Sequence, residues 1–249
     1  MSRPLLIAIQ FLTRFPIRLQ GEISATEIGR SLLYYPLIGL LLGGILAAAA
    51  WALTDVPTML GAALVLTLWA GLTGALHLDG LADTIDAWAG GRGDPERTLA
   101  LLKDPCSGPQ GVTGLVLVLL IKFAALVAIL ESGGYLPLLL APFLGRSALP
   151  LLFLTTPYVR QGGLGTALAA GIPRSLSKGM LLAVTLATIL VGSYAGVLAL
   201  ASALITFHLL RRSMMERIGG ATGDLAGALV EFTETTILTM MIVARGLAD

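Results

Sequence analysis

Long, uninterrupted apolar stretches are the feature that most limits what this chain can fold into. A helix needs about 20 apolar residues to cross a bilayer, and seven stretches approach or reach that length, at residues 33–53, 58–76, 111–130, 135–155, 179–194, 196–210 and 225–243. Only 12% of the 249 residues are charged, about half the share found in a soluble domain. The apolar runs are continuous rather than alternating, which argues against a transmembrane β-barrel. We therefore predict an all-α, polytopic integral membrane helix bundle with six or seven transmembrane helices.

The charges between these stretches predict how the chain crosses the membrane. Apart from Arg245 after the last span, the basic residues outside the spans cluster in four segments, which are the N-terminus and residues 77–110, 156–178 and 211–224. The turns at the other ends of the spans contain no Lys or Arg. Because basic segments stay on the cytoplasmic side, we predict that all four segments are cytoplasmic. Residues 179–210 must then cross twice, giving seven crossings, or six if one is re-entrant. A single broken helix around residues 192–196 is the alternative.

Composition also bears on organisation and partners. The net charge of +1 predicts no nucleic-acid surface. The N-terminal residues 1–17 are predicted to form an amphipathic helix at the lipid interface, with apolar side chains directed toward lipid at Leu5, Leu6, Ile9, Phe11 and Leu12. We find no internal repeat or linker, so residues 1–249 are predicted to form a single membrane-embedded domain. The sequence leaves a homo-oligomer open.

A first cluster of acidic residues follows the second apolar stretch. Residues 77–86 read His-Leu-Asp-Gly-Leu-Ala-Asp-Thr-Ile-Asp, and at about 100° per helical residue Asp79, Asp83 and Asp86 share one face. Carboxylates this close repel one another unless a cation neutralises them. A hard ion such as Mg²⁺ is a natural counter-charge, especially when a phosphorylated substrate completes its shell. The alternative is a solvated acidic face. His77 points elsewhere on the helix, either as a functional base or donor or as a structural histidine.

A second acidic cluster opens the last apolar stretch, after a glycine-rich segment. Relative to Asp224, Glu231 and Glu234 lie at about 340° and 280° around a helix and reach about 10–15 Å into the membrane. Charges at that depth usually face a cavity, a partner or an ion path. In the alternative interpretation these glutamates pair with Lys122 or Arg146, which lie within apparent spans, and hold the bundle together.

A loop rich in proline and glycine, residues 103–111, lies between the two clusters and leads into the third apolar stretch. A glycine-bearing turn at a helix N-terminus can present backbone N–H groups to a phosphate. Gly108 and Gly111 are therefore candidate phosphate contacts. Asp104 is either a further metal ligand or a cap.

These motifs together resemble the cobalamin synthase family, the adenosylcobinamide-GDP ribazoletransferases of bacterial vitamin B12 assembly. The similar segments are Phe-Leu-Thr-Arg-Phe-Pro at 11–16, Tyr-Pro-Leu-Ile-Gly at 35–39, the histidine-led aspartate motif at 77–86, Lys-Asp at 103–104 with Gly108 and Gly111, and Gly-Gly-Ala-Thr-Gly-Asp at 219–224 with Gly227 and Glu231. Pro-Cys-Ser follows Asp104 where a serine and usually a basic residue are expected. Phosphate contacts of this loop are therefore expected from its backbone.

The resemblance implies a Mg²⁺-dependent phosphotransferase in the bacterial inner membrane, embedded in lipid, with its N-terminus and active site on the cytoplasmic side. The 3′-hydroxyl of α-ribazole, or of its 5′-phosphate, attacks the cobinamide-linked phosphorus of adenosylcobinamide-GDP. GMP leaves, and adenosylcobalamin or its phosphate forms.

The resemblance also implies roles for individual residues. The expected metal ligands are Asp79, Asp83, Asp86, Asp224 and Glu231. The expected general base is His77 or an unligated carboxylate such as Asp86. The expected substrate contacts are Arg92, Arg97, Lys103, Asp104, Gly108, Gly111 and Gly223, although the three basic residues are equally explained as determinants of membrane topology.

Two other classes of protein stay open at this stage. A secondary transporter also uses intramembrane acids and helices broken at glycine, but here the acids crowd one face of the membrane and no inverted repeat is visible. A CDP-alcohol phosphotransferase also places aspartates along a helix. Its pattern requires Ala-Arg after Asp-Gly, whereas Asp79-Gly80 is followed by Leu-Ala-Asp. The first class predicts solute flux without nucleotide release, and the second predicts release of CMP.

Overall fold

The described part of the chain is mainly helical. The computed structural model describes residues 2–104 and 106–247, and within these ranges it contains no β-strand. Eleven α-helices follow one another as α1 (Arg3–Leu12), α2 (Ala25–Ser31), α3 (Tyr35–Ala52), α4 (Thr58–Thr73), α5 (Leu76–Gly91), α6 (Pro95–Leu101), α7 (Pro109–Ser132), α8 (Leu136–Thr155), α9 (Gly163–Gly171), α10 (Arg174–Ile218) and α11 (Gly223–Gly246). A short 3₁₀ turn at Leu32–Tyr34 joins α2 to α3. The predicted all-α bundle is confirmed.

Several of these helices are long and apolar enough to cross a membrane. Five segments qualify by length and composition, namely Ala25–Ala52, α7, α8, α10 and α11. A sixth is added if α4 and α5, which meet at 90°, form one bent span. The chain therefore has the architecture of a multi-pass membrane protein.

The longest helix, α10, is two arms rather than one rod. At Ser193 the backbone leaves the helical region, with φ 49° and ψ −129°. Gly196 lies so close to the carbonyl of Thr188 that a side chain at residue 196 would overlap it. In a straight helix these residues would be about 12 Å apart, so the chain must reverse at Ser193. This reversal is the one that the predicted double crossing of residues 179–210 requires, and it raises the count of spans to six, or to seven if α4 and α5 form one bent span.

The segments predicted to be cytoplasmic meet at one end of the bundle. The backbone N–H of Val159 donates to the carbonyl of Ala221 at 3.0 Å. The guanidinium of Arg217 donates to the carbonyl of Trp88 at 3.1 Å and lies over its ring. All three basic segments that follow the first span are thereby joined. Their grouping agrees with the predicted topology.

The turns predicted to lie outside meet at the other end. The hydroxyls of Thr54 and Tyr135 lie 3.4 Å apart. Tyr194, at the reversal of α10, lines a groove there together with Gly134 and Arg245. The loops are therefore sorted to two ends as the charge pattern predicts.

Helix α1 differs in part from its predicted position. The expectation that its apolar side chains face lipid is wrong for Ile9 and Leu12, which are 8% and 0% exposed. Both pack in the protein core with Tyr35. They are covered because α2 and the start of α3 pack against α1.

Helices α8 and α11 form the centre of the bundle. In an apolar stretch of 18 residues, 78% of the residues of α8 and 67% of those of α11 are buried, against 22% in α10. Gly39 and Gly43 of α3 lie directly against the backbone of α8, near Pro142 and Leu138. Helix α8 is therefore enclosed by protein, whereas α10 presents most of its surface outward.

A buried ionic cluster joins three of the spans. It consists of Lys122 on α7, Arg146 on α8, and Glu231 and Glu234 on α11, each at most 4% exposed. The Lys122 ammonium lies 2.6 Å from Glu231 and 2.7 Å from Glu234, and Arg146 forms an ion pair with Glu234. Lys122 also lies 4.6 Å from the ring centre of Trp69. The two positive and two negative charges of the cluster balance. The glutamates therefore pair with Lys122 and Arg146, as the alternative interpretation of the sequence predicted.

Removal of one charge from this cluster should destabilise the fold strongly. In Glu234→Gln, Arg146 loses its ion-pair partner in a dry site, and we expect a loss of about 3–5 kcal/mol. Chemical unfolding in detergent measures it. The control is Glu216→Gln, which breaks an exposed ion pair with Arg212 and should cost roughly 0.5 kcal/mol or less. Equal losses in the two variants would contradict the role of the cluster.

Candidate active site

Helix α5, which contains the first acidic motif, is redirected by a sharp bend. Gly74 and Ala75 both have left-handed backbone conformations, with φ of 61° and 57°. The N–H of Ala75 still bonds to the carbonyl of Ala70 at 3.0 Å, which ends α4. The chain then leaves at a right angle as α5. In the predicted topology α5 therefore lies outside the membrane-spanning segments.

Two glycines allow α5 to cross α11 at close range. A methyl group at Gly80 would lie 2.7 Å from the carbonyl oxygen of Asp224. Gly227, on the facing helix, lies directly against the backbone of His77. Only small residues allow two helix backbones to approach this closely. The crossing therefore brings the two acidic motifs of the sequence together.

The aspartates at this crossing influence one another. Burial, followed by the nearby carboxylates of Asp79, Asp224 and Asp86, raises the pKa of Asp83 to about 6, with Arg160 acting in the opposite direction. We refer to Asp79, Asp83, Asp86 and Asp224 as the aspartate cluster. Their proximity agrees with the shared face predicted from their spacing.

Asp86 has a structural role within this cluster. Its two carboxylate oxygens accept hydrogen bonds from the backbone N–H groups of Gly108 at 2.6 Å and Gly111 at 2.8 Å. A carboxylate is favourable here because the N-terminus of a helix carries partial positive charge. The two N–H groups predicted as phosphate contacts thus donate to Asp86, which fixes the start of α7 against α5.

Arg160 is the functional candidate that sequence reasoning missed. Its guanidinium lies 3.0 Å from Asp224, and the two side chains are 37% and 19% exposed. The backbone pairing of residues 157–159 with Ala221 holds the Arg160 loop against the start of α11. The only signal in the sequence was a basic residue in a predicted cytoplasmic loop, which membrane topology explains equally well.

A cavity of about 470 Å³, the main cavity, opens beside the crossing. The polar side chains in its lining are those of His77, Asp79, Arg160, Gln161 and Asp224. Apolar and aromatic side chains form the rest of its wall, including Phe11, Tyr35, Leu149, Phe153, Leu164 and Leu168. A second cavity of about 250 Å³ shares Arg160 and Gln161 with it and is also lined by Lys103. Arg160 therefore lies between two recesses.

His77 joins the main cavity to the buried ionic cluster. It lines the cavity, is only 4% exposed, and has its Nδ1 atom 3.5 Å from a guanidinium nitrogen of Arg146. Arginine can only donate hydrogen bonds. The contact therefore favours the tautomer in which Nδ1 is unprotonated and Nε2 carries the proton.

The other predicted site residues are distributed around this centre. Gly223 lines the main cavity, and Lys103 lines the second one. Arg92 and Arg97 are exposed on the segment after the aspartate motif, and neither lines these two cavities in the described part of the chain. Asp104 is exposed, and its carboxylate accepts the N–H of Cys106 at 3.0 Å.

Glu231, predicted as a metal ligand, is paired with Lys122 instead of lying within the aspartate cluster. It follows Asp224 by seven residues, about 10 Å of helical rise. The structure does not test metal binding by Glu231, but it provides that carboxylate with a cationic partner.

Magnesium binding by the aspartate cluster would need ligands from a substrate. Among residues 2–104 and 106–247, no three His, Cys, Asp or Glu side chains form a group that could hold a metal ion. Mg²⁺ usually takes one or two carboxylates together with waters and substrate phosphates. Hard carboxylate oxygens at the edge of an open cavity match that requirement.

The chain is similar to a known protein family over nearly its whole length. The model of the family described as cobalamin-5-phosphate synthase matches residues 4–242. A curated relative from Stutzerimonas stutzeri, named adenosylcobinamide-GDP ribazoletransferase, is 54% identical over 98% of this chain and 99% of its own. A relative of the same name from Pseudomonas aeruginosa is 55% identical over 96% of this chain and 97% of its own. No solved structure matches the chain.

Proposed function

The chain belongs to the cobalamin-5-phosphate synthase family, and from this premise we propose that it joins adenosylcobinamide-GDP to α-ribazole or its 5′-phosphate. The observation that supports the proposal is the close crossing of α5 and α11, beside which Asp79 and Asp224 line one cavity. The relatives are bacterial, so we place the protein in the inner membrane with this site on the cytoplasmic side.

The proposed reaction exchanges one phosphorus–oxygen bond for another. The 3′-hydroxyl oxygen of the ribazole ribose bonds to the cobinamide-linked phosphorus, and the bond from that phosphorus to the bridging oxygen breaks. GMP leaves with that oxygen. The hydroxyl proton passes to a base, and the product is adenosylcobalamin or its 5′-phosphate.

Charge neutralisation is the main demand of this reaction, because both the pyrophosphate and the aspartates are negative. We propose that one or two of Asp79, Asp83 and Asp224 hold Mg²⁺ together with the pyrophosphate, and that Asp86 positions this group by fixing α7. When bound, Mg²⁺ would neutralise phosphate oxygens and favour attack at phosphorus. Arg160 and Lys103, which line the second cavity, would contact the phosphate groups.

Of the base and donor roles that the sequence left open for His77, we propose the donor role. The contact of its Nδ1 with Arg146 supports this choice, because it favours the tautomer with the proton on Nε2. Asp86, the other predicted base, already accepts two backbone N–H groups. We therefore propose that the proton of the attacking hydroxyl passes to whichever carboxylate of Asp79 and Asp83 does not ligate the ion, and that His77 donates a hydrogen bond to the substrate.

Nucleotide release tests the proposed reaction. Purified protein with Mg²⁺, ribazole phosphate and adenosylcobinamide-GDP should release GMP, and release should require the acceptor and stop in EDTA. Asp83→Asn should lower the rate by about 10²-fold or more, because a charge at the phosphoryl centre is lost. The control Asp55→Asn changes an exposed aspartate in a turn at the other end and should retain the rate. Absence of GMP release by the wild type would refute the function.

Two substitutions of His77 separate the donor role from the base role. Glutamine can still donate an N–H group, so His77→Gln should stay within about tenfold of the wild-type kcat, whereas His77→Leu should lose about 10²–10³-fold. Initial rates of GMP release measure both, and thermal unfolding verifies that both variants fold. If glutamine and leucine reduce kcat equally, the base role would stand and the donor role would be wrong.

A further inference from the structure

Tyr158 lines the main cavity, and the proposed reaction gives it no role. It lies two residues before Arg160, which also lines the cavity, as does Asp224. Burial raises the pKa of its phenol, Arg160 lowers it and Asp224 raises it, so both charged groups lie near the ring. The net result is a pKa above the usual value of about 10. The hydroxyl therefore keeps its proton at neutral pH and can donate a hydrogen bond.

The backbone of Tyr158 is fixed to the start of α11. On one side of it, the carbonyl of Pro157 accepts a hydrogen bond from the N–H of Ala221 at 2.8 Å. On the other side, the N–H of Val159 donates to the carbonyl of Ala221 at 3.0 Å. These two bonds form an isolated β-bridge between Tyr158 and Ala221. The side chain therefore starts from a point that is fixed relative to Asp224.

The ring of Tyr158 is held between neighbours on three helices. A methyl group at Gly165, on α9, would overlap the hydroxyl oxygen and the ring carbon that carries it. A methyl group at Gly223, the first residue of α11, would lie 3.8 Å from the same oxygen. The ring of Phe153, on α8, has its centroid 5.8 Å away. The hydroxyl is thereby placed beside the residue that precedes Asp224.

The proton of this hydroxyl has no acceptor within the described residues. The nearby carboxylate of Asp224 accepts instead from Arg160 at 3.0 Å and from the hydroxyl of Thr222 at 3.4 Å, both through Oδ2. Tyr158 is half-buried, and its hydroxyl is not one of the fully buried polar atoms that lack a partner. The O–H group is therefore available to a ligand in the cavity.

Two neighbouring hydrogen-bond donors require a ligand with acceptor oxygens. Arginine can only donate, and a phosphate group offers several oxygens that pair well with a guanidinium. The two substrates contain such oxygens in the pyrophosphate of adenosylcobinamide-GDP and in the 5′-phosphate of the phosphorylated acceptor. Only the pyrophosphate is expected to share a metal ion with the aspartate cluster, to which Asp224 belongs. The position of Tyr158 beside Asp224 therefore favours the pyrophosphate.

On the basis of the proposed function, we propose that the Tyr158 hydroxyl donates a hydrogen bond to an oxygen of the pyrophosphate, beside Arg160. Tyr158 is then a further catalytic residue, because a donor at the reacting phosphate stabilises the charge that shifts during transfer. Gly165 and Phe153 act through it, since they keep the phenol in place.

Tyr158→Phe removes only the hydroxyl and tests this contact in the full-length protein. Isothermal titration calorimetry of adenosylcobinamide-GDP with Mg²⁺, without acceptor, should show about tenfold weaker binding, because a hydrogen bond to a charged group is lost. The kcat for GMP release should fall by about tenfold or more. The KM for ribazole phosphate should stay within about twofold of the wild-type value, because the acceptor does not contact this hydroxyl.

Tyr34→Phe is the matched control. Tyr34 is half-buried like Tyr158, and its hydroxyl accepts a hydrogen bond from Ser2 at 3.1 Å. It lines neither of the two cavities beside Arg160 in the part of the chain that the structure describes. This variant should bind adenosylcobinamide-GDP and release GMP like the wild type, and thermal unfolding verifies that both variants fold. Equal losses in the two variants would overturn the assignment.

The same measurements separate failure of this assignment from failure of the proposed function. If Tyr158→Phe weakens binding of ribazole phosphate but not of adenosylcobinamide-GDP, the hydroxyl contacts the acceptor and the assignment to the pyrophosphate is wrong. If the wild type releases GMP and Tyr158→Phe binds adenosylcobinamide-GDP equally well, the assignment is wrong and the function stands. If the wild type releases no GMP, the proposed function itself is wrong.

Discussion

The buried ionic cluster is the interaction on which the rest of this structure depends. Lys122, Arg146, Glu231 and Glu234 come from three different spans and are almost completely enclosed. None of these charges is stable alone in a low-dielectric interior, so α7, α8 and α11 must assemble with these side chains in contact. His77 extends the connection to α5 through Arg146, and the position of the site is set by the same contacts that hold the bundle.

The site follows from that assembly because the facing helices carry glycine where they cross. Gly80 and Gly227 let α5 and α11 approach closely, and Asp79 and Asp224 then lie at one mouth of one cavity. A metal site completed by substrate suits an enzyme with two substrates, because full binding strength is reached only when the pyrophosphate is present. The anionic cluster also gives Arg160 a partner, so the cation expected to contact phosphate is already held beside the aspartates.

Sequence alone predicted the parts of this molecule that depend on periodicity and composition. Apolar runs located the spans, and the distribution of Lys and Arg sorted the loops to the two ends correctly. Helical spacing placed Asp79, Asp83 and Asp86 on one face. The parts that it missed depend on contacts between distant segments. The partner of Glu231 could have been a metal ion or Lys122, and helical spacing alone does not distinguish them. The role of Asp86 at the start of α7, the burial of Leu12 and the position of Arg160 beside Asp224 required three-dimensional packing.

The central claim is that the aspartate cluster binds a divalent ion jointly with the pyrophosphate substrate. Electron paramagnetic resonance with Mn²⁺ in place of Mg²⁺ tests this claim most directly. The concentration of unbound Mn²⁺ is measured as purified protein is titrated with the ion, with and without adenosylcobinamide-GDP. The account predicts weak binding to the protein alone, at least tenfold tighter binding with the substrate, equivalent to about 1.4 kcal/mol, and loss of this gain in Asp79→Asn. Binding that is equally tight without substrate, or unchanged in the variant, would contradict it.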